Sequence, residues 1–378
     1  MNTVQSNVES VAREFATQRS MRQARRAIDR ADFEKLAAAG FTAIGAPVSA
    51  GGLWVDMKAS TRDASNLVRA VAHGDPSVAL VSAMHPAVLS FWLCPGDAPE
   101  QHREAWAAQC RLTAESALKG EWWGTITSEP GSGGDVARTK SVAKDDGKGG
   151  YLLSGQKHFG SGSGATTYVI TSALPEGETE ADWFYLDIRD AAWDGSTGMK
   201  LVAEWDGHGM AGTQSHAFEF TDYPATRIAW PGNLTGVQAA VGPLIASLFT
   251  SVIVGVAETA YERAREQTGR RRESMNPYEQ TEWVRIESEM WQIRAALDAG
   301  LRAVETKGAG AGLDTLHAKN AIAELAESMT QRICRVVGGG TFHRASPFGA
   351  AFEDVRALGF LRPPWGLTYD QLWQRSWQ

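Results

Sequence analysis

The sequence predicts an α+β protein in three parts, and three observations lead to this prediction. Residues 1–121 and 233–378 place apolar side chains at helical spacing, which predicts a helical N-terminal domain and a helical C-terminal domain. Residues 122–232 contain short β-branched and aromatic runs separated by glycines, the pattern of a small β domain of barrel or sandwich type. The length of 378 residues exceeds the size at which one core usually stops growing, so several domains are expected.

Helices are predicted along most of the N-terminal domain. Ser20–Gly40 is rich in Ala, Arg and Glu and stops at a glycine, so one helix is expected there. Arg62–Leu93 is a long apolar segment interrupted by Gly74-Asp75-Pro76, which predicts two helices. Pro99–Leu118 is expected to form another.

Four runs in the middle domain have the composition of strands. They are Tyr151–Ser154, Thr167–Thr171, Trp183–Asp187 and His216–Phe220. Glycines and acidic residues separate these runs, and Pro231-Gly232 is expected to close the domain.

The C-terminal domain is predicted to be an antiparallel bundle built on three long helices. They are expected at Pro243–Thr268, Gln280–Thr306 and Leu313–Val337. Gly338-Gly339-Gly340 ends the last of them, and a short final helix is expected over Phe348–Phe360.

Composition narrows the class of protein. A net charge of −7 argues against nonspecific nucleic-acid binding. The polar N-terminus, Met1–Arg30, does not resemble a secretory signal, and no apolar run is expected to reach the roughly 18 residues that span a bilayer. Three widely spaced cysteines favour a reducing, cytoplasmic location, and no His, Cys, Asp or Glu set has metal-ligand spacing.

One turn stands out as a candidate binding element. Thr127–Asp135 reads Thr-Ser-Glu-Pro-Gly-Ser-Gly-Gly-Asp, and Ser154–Phe159 follows it as a strand that ends on an aromatic residue. Glycines let backbone N–H groups approach phosphate oxygens, and hydroxyls can bond to the edge of a heteroaromatic ring. Taken alone, a Gly/Ser turn is more often an ordinary loop.

Five motifs in order make the chain resemble the acyl-CoA dehydrogenase superfamily. They are Ala46–Leu53, the Thr127–Asp135 turn, Gly207–Ser215, Gly338–Phe342 and Phe352–Ala357. The resemblance runs from about Asp29 to Leu361. It implies the family's fold, with an N-terminal helical domain, a middle β-barrel or sandwich domain and a C-terminal four-helix-bundle domain. It also implies a homotetramer or homodimer.

The resemblance further implies a bound flavin, FAD or FMN. Residues expected to contact its ring and ribityl chain are Thr125, Ser128 and Gly134, with Ser132 replacing the hydroxyl that Gly134 lacks. Phe159 falls where an aromatic ring covers the flavin face, and Ser161 falls where a hydroxyl approaches the reactive edge.

Three more residues are expected at the far end of the cofactor by the same resemblance. Arg271 falls where an arginine of a neighbouring subunit reaches the pyrophosphate, and a guanidinium fork suits that anion. Gly338 and Gly339 are expected to line that end of the site.

The catalytic glutamate of the family is missing. Counting eight residues past Asp354 reaches Arg362, and the second known location of the base is Ile245. An arginine cannot act as a base near neutral pH, because its pKa lies above about 12. Arg362 is instead expected to bind an anionic group of the substrate, while Asp370 remains open as a relocated base.

Three functions therefore stay open. Some superfamily members are monooxygenases that react reduced flavin with O₂, and they resemble this chain at His85 and in the run Lys157–Gly162. This reading names His85, Arg362 and Ser161 as catalytic, a small organic molecule as substrate and a flavin reductase as partner. His343 is a weaker candidate. The alternatives are an acyl-CoA dehydrogenase with a relocated base, acting on an acyl thioester, and a catalytically silent flavin-binding protein.

Overall fold

The computed structural model describes residues 1–377, and its N-terminal third is helical as predicted. The helices are α1 Asn2–Thr17, α2 Arg19–Ala24, α3 Arg30–Ala38, α4 Met57–Gly74, α5 Pro76–Leu93 and α6 Arg103–Leu118. The single helix expected over Ser20–Gly40 is two helices. Arg25 has extended backbone angles, and the Asp29 side chain accepts the Ala31 N–H to start α3.

The break between α4 and α5 was predicted correctly and has a simple cause. The Asp75 carboxylate accepts the N–H of Val78 at 3.1 Å and caps the N-terminus of α5. Pro76 occupies the first turn of that helix, where its missing N–H is not needed.

The middle third forms a closed barrel. Its strands are β1 Trp123–Thr125, β2 Val142–Asp145, β3 Tyr151–Gly160, β4 Tyr168–Pro175, β5 Asp182–Asp187, β6 Met199–Ala203 and β7 His216–Arg227. The pairings β4–β2, β2–β3, β3–β7, β7–β5 and β5–β4 return to their start, so these five strands form a ring. The barrel core includes Leu153, Phe184, Phe218 and Phe220. β1 lies parallel to β4 at the edge, where the Gly-rich turn begins.

The C-terminal third contains the predicted bundle and one helix that was not predicted. The helices are α7 Leu234–Gly269, α8 Pro277–Lys307, α9 Gly312–Val337, α10 Pro347–Val355 and α11 Trp365–Arg375. The α4 helix packs against α7, and residues of both terminal thirds share one apolar core, including Val68, Leu248 and Met329. The helix–barrel–helix arrangement is therefore confirmed.

Two helices correct a prediction made from the sequence. By length and composition, α5 and α7 are long and apolar enough to cross a membrane, so the expectation that no run reaches such a length was wrong. Within their apolar windows, 83% and 78% of the residues are buried inside the protein. Such burial is typical of the core helices of a folded domain.

Candidate functional site

The Gly-rich turn leaves β1 in a conformation that its glycines allow. Gly131, Gly133 and Gly134 have φ of 79°, 63° and 84°, a region that other residues rarely adopt. The Ser132 hydroxyl donates to Glu129 O at 3.0 Å and accepts the Gly134 N–H at 3.2 Å. Ser132, predicted to contact a cofactor, is buried and bonded within the turn.

A buried ion pair lies beneath this turn. The Lys157 ammonium is fully buried, and it donates to Glu129 Oε1 at 2.5 Å and to Ser172 O at 2.6 Å. Burial raises the pKa of the Glu129 carboxyl, but the Lys157 charge and several donors outweigh it and lower this pKa to about 2. Glu129 therefore stays ionised at neutral pH, and its low pKa makes it a weak base.

Arg362 reaches the turn from the other end of the chain. Its guanidinium donates to Gly134 O and, at 3.2 Å, to the Ser128 hydroxyl. Burial lowers the pKa of Arg362 to about 10, with Asp135 acting in the opposite sense, so the side chain remains a cation at neutral pH. The structure thus joins Arg362 to two of the predicted cofactor-binding residues.

The segment that carries Arg362 is held by residues that the sequence analysis did not single out. The buried Lys319 ammonium donates to Pro363 O at 2.9 Å, and the Thr368 hydroxyl donates to the same oxygen at 2.8 Å. The signal available in the sequence was the helical spacing of Lys319 with the apolar Leu316 and Ala323, because a lysine on an apolar helix face needs a partner.

Phe159 presents an open aromatic face beside the turn. His158 N donates to Ser128 O at 2.8 Å, which joins the end of β3 to the turn. Phe159 then has φ of 58°, and 55% of its surface is exposed. A bulky residue with positive φ is strained, and such strain is typical of binding sites. The exposed ring suits a flat ligand.

Ser161 ends a short chain of hydroxyl groups. Its Oγ lies 2.7 Å from Ser215 Oγ, which lies 2.7 Å from Thr213 Oγ1. Ser215 and Thr213 belong to a motif noted in the sequence, but neither was predicted to act at the site. The Thr125 hydroxyl, at the end of β1, donates to Met84 Sδ at 3.9 Å.

His85 is fully buried and bonded through both ring nitrogens. Nε2 lies 2.9 Å from Thr42 O, and Nδ1 accepts the Trp123 N–H at 3.3 Å. Burial lowers the pKa of His85 to about 4, so the ring is neutral and donates from Nε2. Because both nitrogens are used by the backbone, this geometry favours a structural role over the predicted catalytic one.

The residues predicted for the far end of the cofactor lie together in another region. Arg271 donates to Glu279 at 2.7 Å and to Val336 O at 2.6 Å. Gly338 and Gly339 line a cavity of 1530 Å³ whose wall includes none of the turn residues. The assignment of Arg271, Gly338 and Gly339 to a neighbour's cofactor stays a prediction.

The remaining sequence candidates are distributed around the molecule. His343 is exposed and accepts the Ala345 N–H, while His216 Nδ1 accepts the Trp205 N–H. Ile245 is partly buried on α7, and Asp370 is exposed on α11. Asp354 accepts the Met210 N–H at 2.6 Å, and burial raises the pKa of its carboxyl to about 7. Within residues 1–377, no three His, Cys, Asp or Glu side chains are placed to hold a metal ion.

Removing the ammonium of the buried pair is expected to destabilise the protein. Lys157→Met leaves the Glu129 carboxylate buried without a counter-ion, which costs roughly 3–5 kcal/mol in the free energy of unfolding. Urea denaturation measures this cost. Lys35→Met, which breaks the exposed pair of Lys35 with Glu14, is the control and should cost less than about 1 kcal/mol. Equal costs would contradict the prediction, whereas Glu129→Gln in the Lys157→Met background should recover most of the loss.

The contact between Gly134 and the C-terminal segment can be tested by adding one methyl group. A Cβ at Gly134 would lie 2.8 Å from Pro364 Cγ, whereas a Cβ at Gly133 meets nothing within 4 Å. Both glycines have positive φ, so alanine carries a similar backbone cost of about 1–2 kcal/mol at either position. Only Gly134→Ala should speed hydrogen–deuterium exchange in residues 360–367. If Gly133→Ala also sped exchange in these residues, the contact of Gly134 with Pro364 would not be its cause.

The buried state of His85 predicts a dependence of stability on pH. Its pKa in the folded protein lies below the unfolded value, so this contribution to stability is lost as pH falls from about 6.5 to about 4. The loss should be on the order of 3 kcal/mol and absent in His85→Gln. Unfolding by urea at several pH values measures it. His343→Gln removes an exposed histidine and should leave the pH dependence of stability as in the wild type. If His85→Gln kept the wild-type pH dependence, the assignment would be contradicted.

Comparison with known proteins shows which proteins this chain resembles. Residues 124–223 match the acyl-CoA dehydrogenase middle domain. A dibenzothiophene monooxygenase of Mycolicibacterium goodii is 28% identical over 248 residues, which cover 62% of this chain and 55% of that protein. The probable FMNH2-dependent monooxygenase SfnC of Pseudomonas putida is 29% identical over 276 residues, which cover 71% of this chain and 64% of that protein. The chain thus spans little more than half the length of the first of these relatives.

Solved structures agree in fold along the whole chain. KijD3, in complex with FMN and a dTDP-linked amino-keto sugar, superposes with a TM-score of 0.81 over 99% of this chain and 93% of that one. Its identity of 21% shows the fold alone. Together with the matched middle domain, this fold confirms the resemblance seen in five motifs: residues 124–223 match the acyl-CoA dehydrogenase middle domain, and the whole chain has the acyl-CoA dehydrogenase-like fold.

Proposed function

We propose that the protein is a flavin-dependent monooxygenase that uses reduced flavin and O₂ to oxygenate a small organic substrate. One observation carries this proposal. The C-terminal segment brings the cation of Arg362, in the place of a carboxylate, to Ser128 and Gly134. Abstraction of a proton needs a base with a pKa near the working pH, and an arginine does not meet that need.

The residues present fit a flavin. The glycines of the turn keep its backbone open to close approach, and the exposed Phe159 ring offers a flat apolar surface. Thr125, Ser128, Gly134, Phe159 and Ser161 would hold the ring and ribityl chain. FMN is favoured over FAD because one relative is named as FMNH2-dependent and a neighbour in fold binds FMN. A separate flavin reductase would then supply the reduced cofactor.

A reduced flavin supplies two electrons to O₂ when it is bound. The chain's own residues bind and orient the reactants and exclude water. Phe159 would cover one face of the ring, and the segment held by Lys319 would close the site beside the turn. Arg362 forms no ion pair with a carboxylate within residues 1–377, and a buried cation is stabilised by an anionic partner. We therefore assign it to a carboxylate, sulfinate or similar anion of the substrate.

The main alternative function is that of an acyl-CoA dehydrogenase with a relocated base. Asp354 has the raised pKa that such a base needs, at about 7. It lies, however, on the wall of the cavity that contains Gly338 and Gly339, and its Oδ1 accepts the Met210 N–H. Asp370 is exposed on α11, and Glu129 is ion-paired with Lys157. A third hypothesis is that the protein binds flavin without catalysing a reaction.

We further propose that the protein is a homo-oligomer and that it is located in the cytoplasm. Phe342 is 97% exposed beside the glycines that end α9, and an exposed aromatic residue next to a candidate cofactor loop suits a contact between subunits. Cys94, Cys110 and Cys334 are free thiols, which agrees with a reducing compartment.

Formation of an oxygenated product separates the three functions, because free reduced FMN also consumes O₂. The purified protein is supplied with FMN, NADH and a flavin reductase, and O₂ uptake coupled to oxidation of candidate sulfur or nitrogen compounds is measured. The monooxygenase is expected to consume O₂ and form oxygenated product only with the reductase present. Anaerobic bleaching of bound flavin by an acyl-CoA would support the dehydrogenase instead. Flavin binding without either reaction would support the silent protein.

Substitution of Arg362 tests its assignment to the substrate. Arg362→Ala should raise KM about tenfold or more, because a charge-assisted hydrogen bond contributes about 1.5–3 kcal/mol. Arg362→Lys keeps the positive charge but lacks the guanidinium fork, so its KM should lie between those of the wild type and Arg362→Ala. Arg356→Ala removes an exposed arginine that pairs with Glu353 and is the control. An unchanged KM in Arg362→Ala, with folding intact by circular dichroism, would place the side chain outside the substrate site.

A further inference from the structure

The hydroxyl groups of Ser161, Ser215 and Thr213 form a buried chain with a fixed far end. The Thr213 hydroxyl lies 2.8 Å from Met210 O, and the two remaining links of the chain are each 2.7 Å. All three residues are buried, with exposed fractions of 7%, 8% and 0% from Ser161 to Thr213. Burial of this kind limits the access of water to these bonds.

The direction of every proton in this chain follows from its far end. A carbonyl oxygen only accepts, so Thr213 donates its single hydroxyl proton to Met210 O. Thr213 then has no proton for Ser215, so Ser215 donates to Thr213. Ser215 has then used its single proton, so Ser161 donates to Ser215. Two oxygens 2.7 Å apart need a proton between them, and no other arrangement supplies one at each link.

We propose that Ser215 and Thr213 are positioning residues that turn Ser161 into a hydrogen-bond acceptor, and that this polarity makes the site prefer reduced flavin to oxidised flavin. The inference rests on the proposed function and on the resemblance, which implies that the Ser161 hydroxyl approaches the reactive edge of the ring. The proton of Ser161 points inward to Ser215, so the side chain offers a flavin only its lone pairs.

The two redox states of a flavin differ in the group that meets such an acceptor. Nitrogen N5 of the oxidised ring carries a lone pair and no proton, whereas N5 of the reduced ring carries an N–H. An acceptor at this edge forms a hydrogen bond with the reduced ring and faces lone pair against lone pair with the oxidised ring. A buried site built for one hydrogen-bond polarity discriminates strongly against a ligand of the opposite polarity.

The neighbouring backbone keeps the hydroxyl chain in register. Gly162 N donates to Thr213 O at 2.8 Å, which joins the loop after β3 to the segment that carries Ser215. At the far end, Met210 N donates to Asp354 at 2.6 Å and the Trp205 indole donates to Met210 O at 3.0 Å. The Met210 carbonyl that sets the direction is thus held from α10 and from the barrel.

The test compares binding of oxidised and reduced FMN. Quenching of flavin fluorescence gives the dissociation constant of oxidised FMN. Anaerobic ultrafiltration with dithionite-reduced FMN, followed by fluorescence of the re-oxidised filtrate, gives that of the reduced form. The wild type should bind the reduced form more tightly. Ser215→Ala frees the Ser161 proton to rotate outward, so the ratio of the two constants should fall about three- to tenfold.

Further variants separate proton direction from damage to the loop. Thr213→Val removes the acceptor for Ser215 and should lower the ratio as Ser215→Ala does, while Thr213→Ser keeps the hydroxyl and should keep the wild-type ratio. In a Ser161→Ala background, Ser215→Ala should have no further effect, because its influence passes through Ser161. Thermal melting confirms that each variant is folded.

Two results would overturn the inference and a third would overturn its basis. A wild-type ratio in Ser215→Ala, with both forms of FMN still binding, excludes the polarity mechanism and leaves the proposed function intact. The polarity mechanism is also excluded if Ser215→Ala still lowers the ratio in a Ser161→Ala background. If the wild type binds neither form of FMN, the proposed function itself is wrong.

Discussion

The buried ion pair of Lys157 with Glu129 is the interaction on which the site depends. Glu129 belongs to the Gly-rich turn, and Lys157 lies two residues before Phe159 on β3. The pair therefore fixes the glycines of the turn against the aromatic ring. Taking two charges out of water is costly, and such a pair contributes little net stability compared with apolar packing. Its contribution here is geometric, because it allows one arrangement of the turn on the barrel.

A second set of contacts brings the C-terminal segment onto the same turn. Lys319 of α9 and Thr368 of α11 both donate to the Pro363 carbonyl, which leaves the preceding Arg362 side chain directed at Ser128. Lys319 has no carboxylate partner among its hydrogen bonds in the described chain, and burial lowers its pKa to about 8. The helical bundle thus contributes two cations to this edge of the barrel. Their fields favour an anionic ligand.

The sequence was sufficient where structure depends on local pattern. Periodicity predicted the long helices α7, α8 and α9, and Asp75-Pro76 predicted a break that a single capping side chain produces. The division of Ser20–Gly40 was missed because Asp29 starts α3 through a cap inside an otherwise helical composition. The motif predicted the turn, but the contact of the turn with Arg362 joins residues more than 220 positions apart, and no local signal encodes it.

The presence of Arg362 has a consequence beyond the loss of a glutamate. A cation within hydrogen-bonding distance of the turn favours the ionised form of any carboxylate that approaches it, and so lowers that group's pKa. A dehydrogenase needs the opposite, a carboxylate whose pKa is raised to meet its substrate's proton. An acid relocated to this edge would therefore be a weaker base than the residue it replaced. The arginine therefore opposes proton abstraction at this place and favours the binding of an anion there.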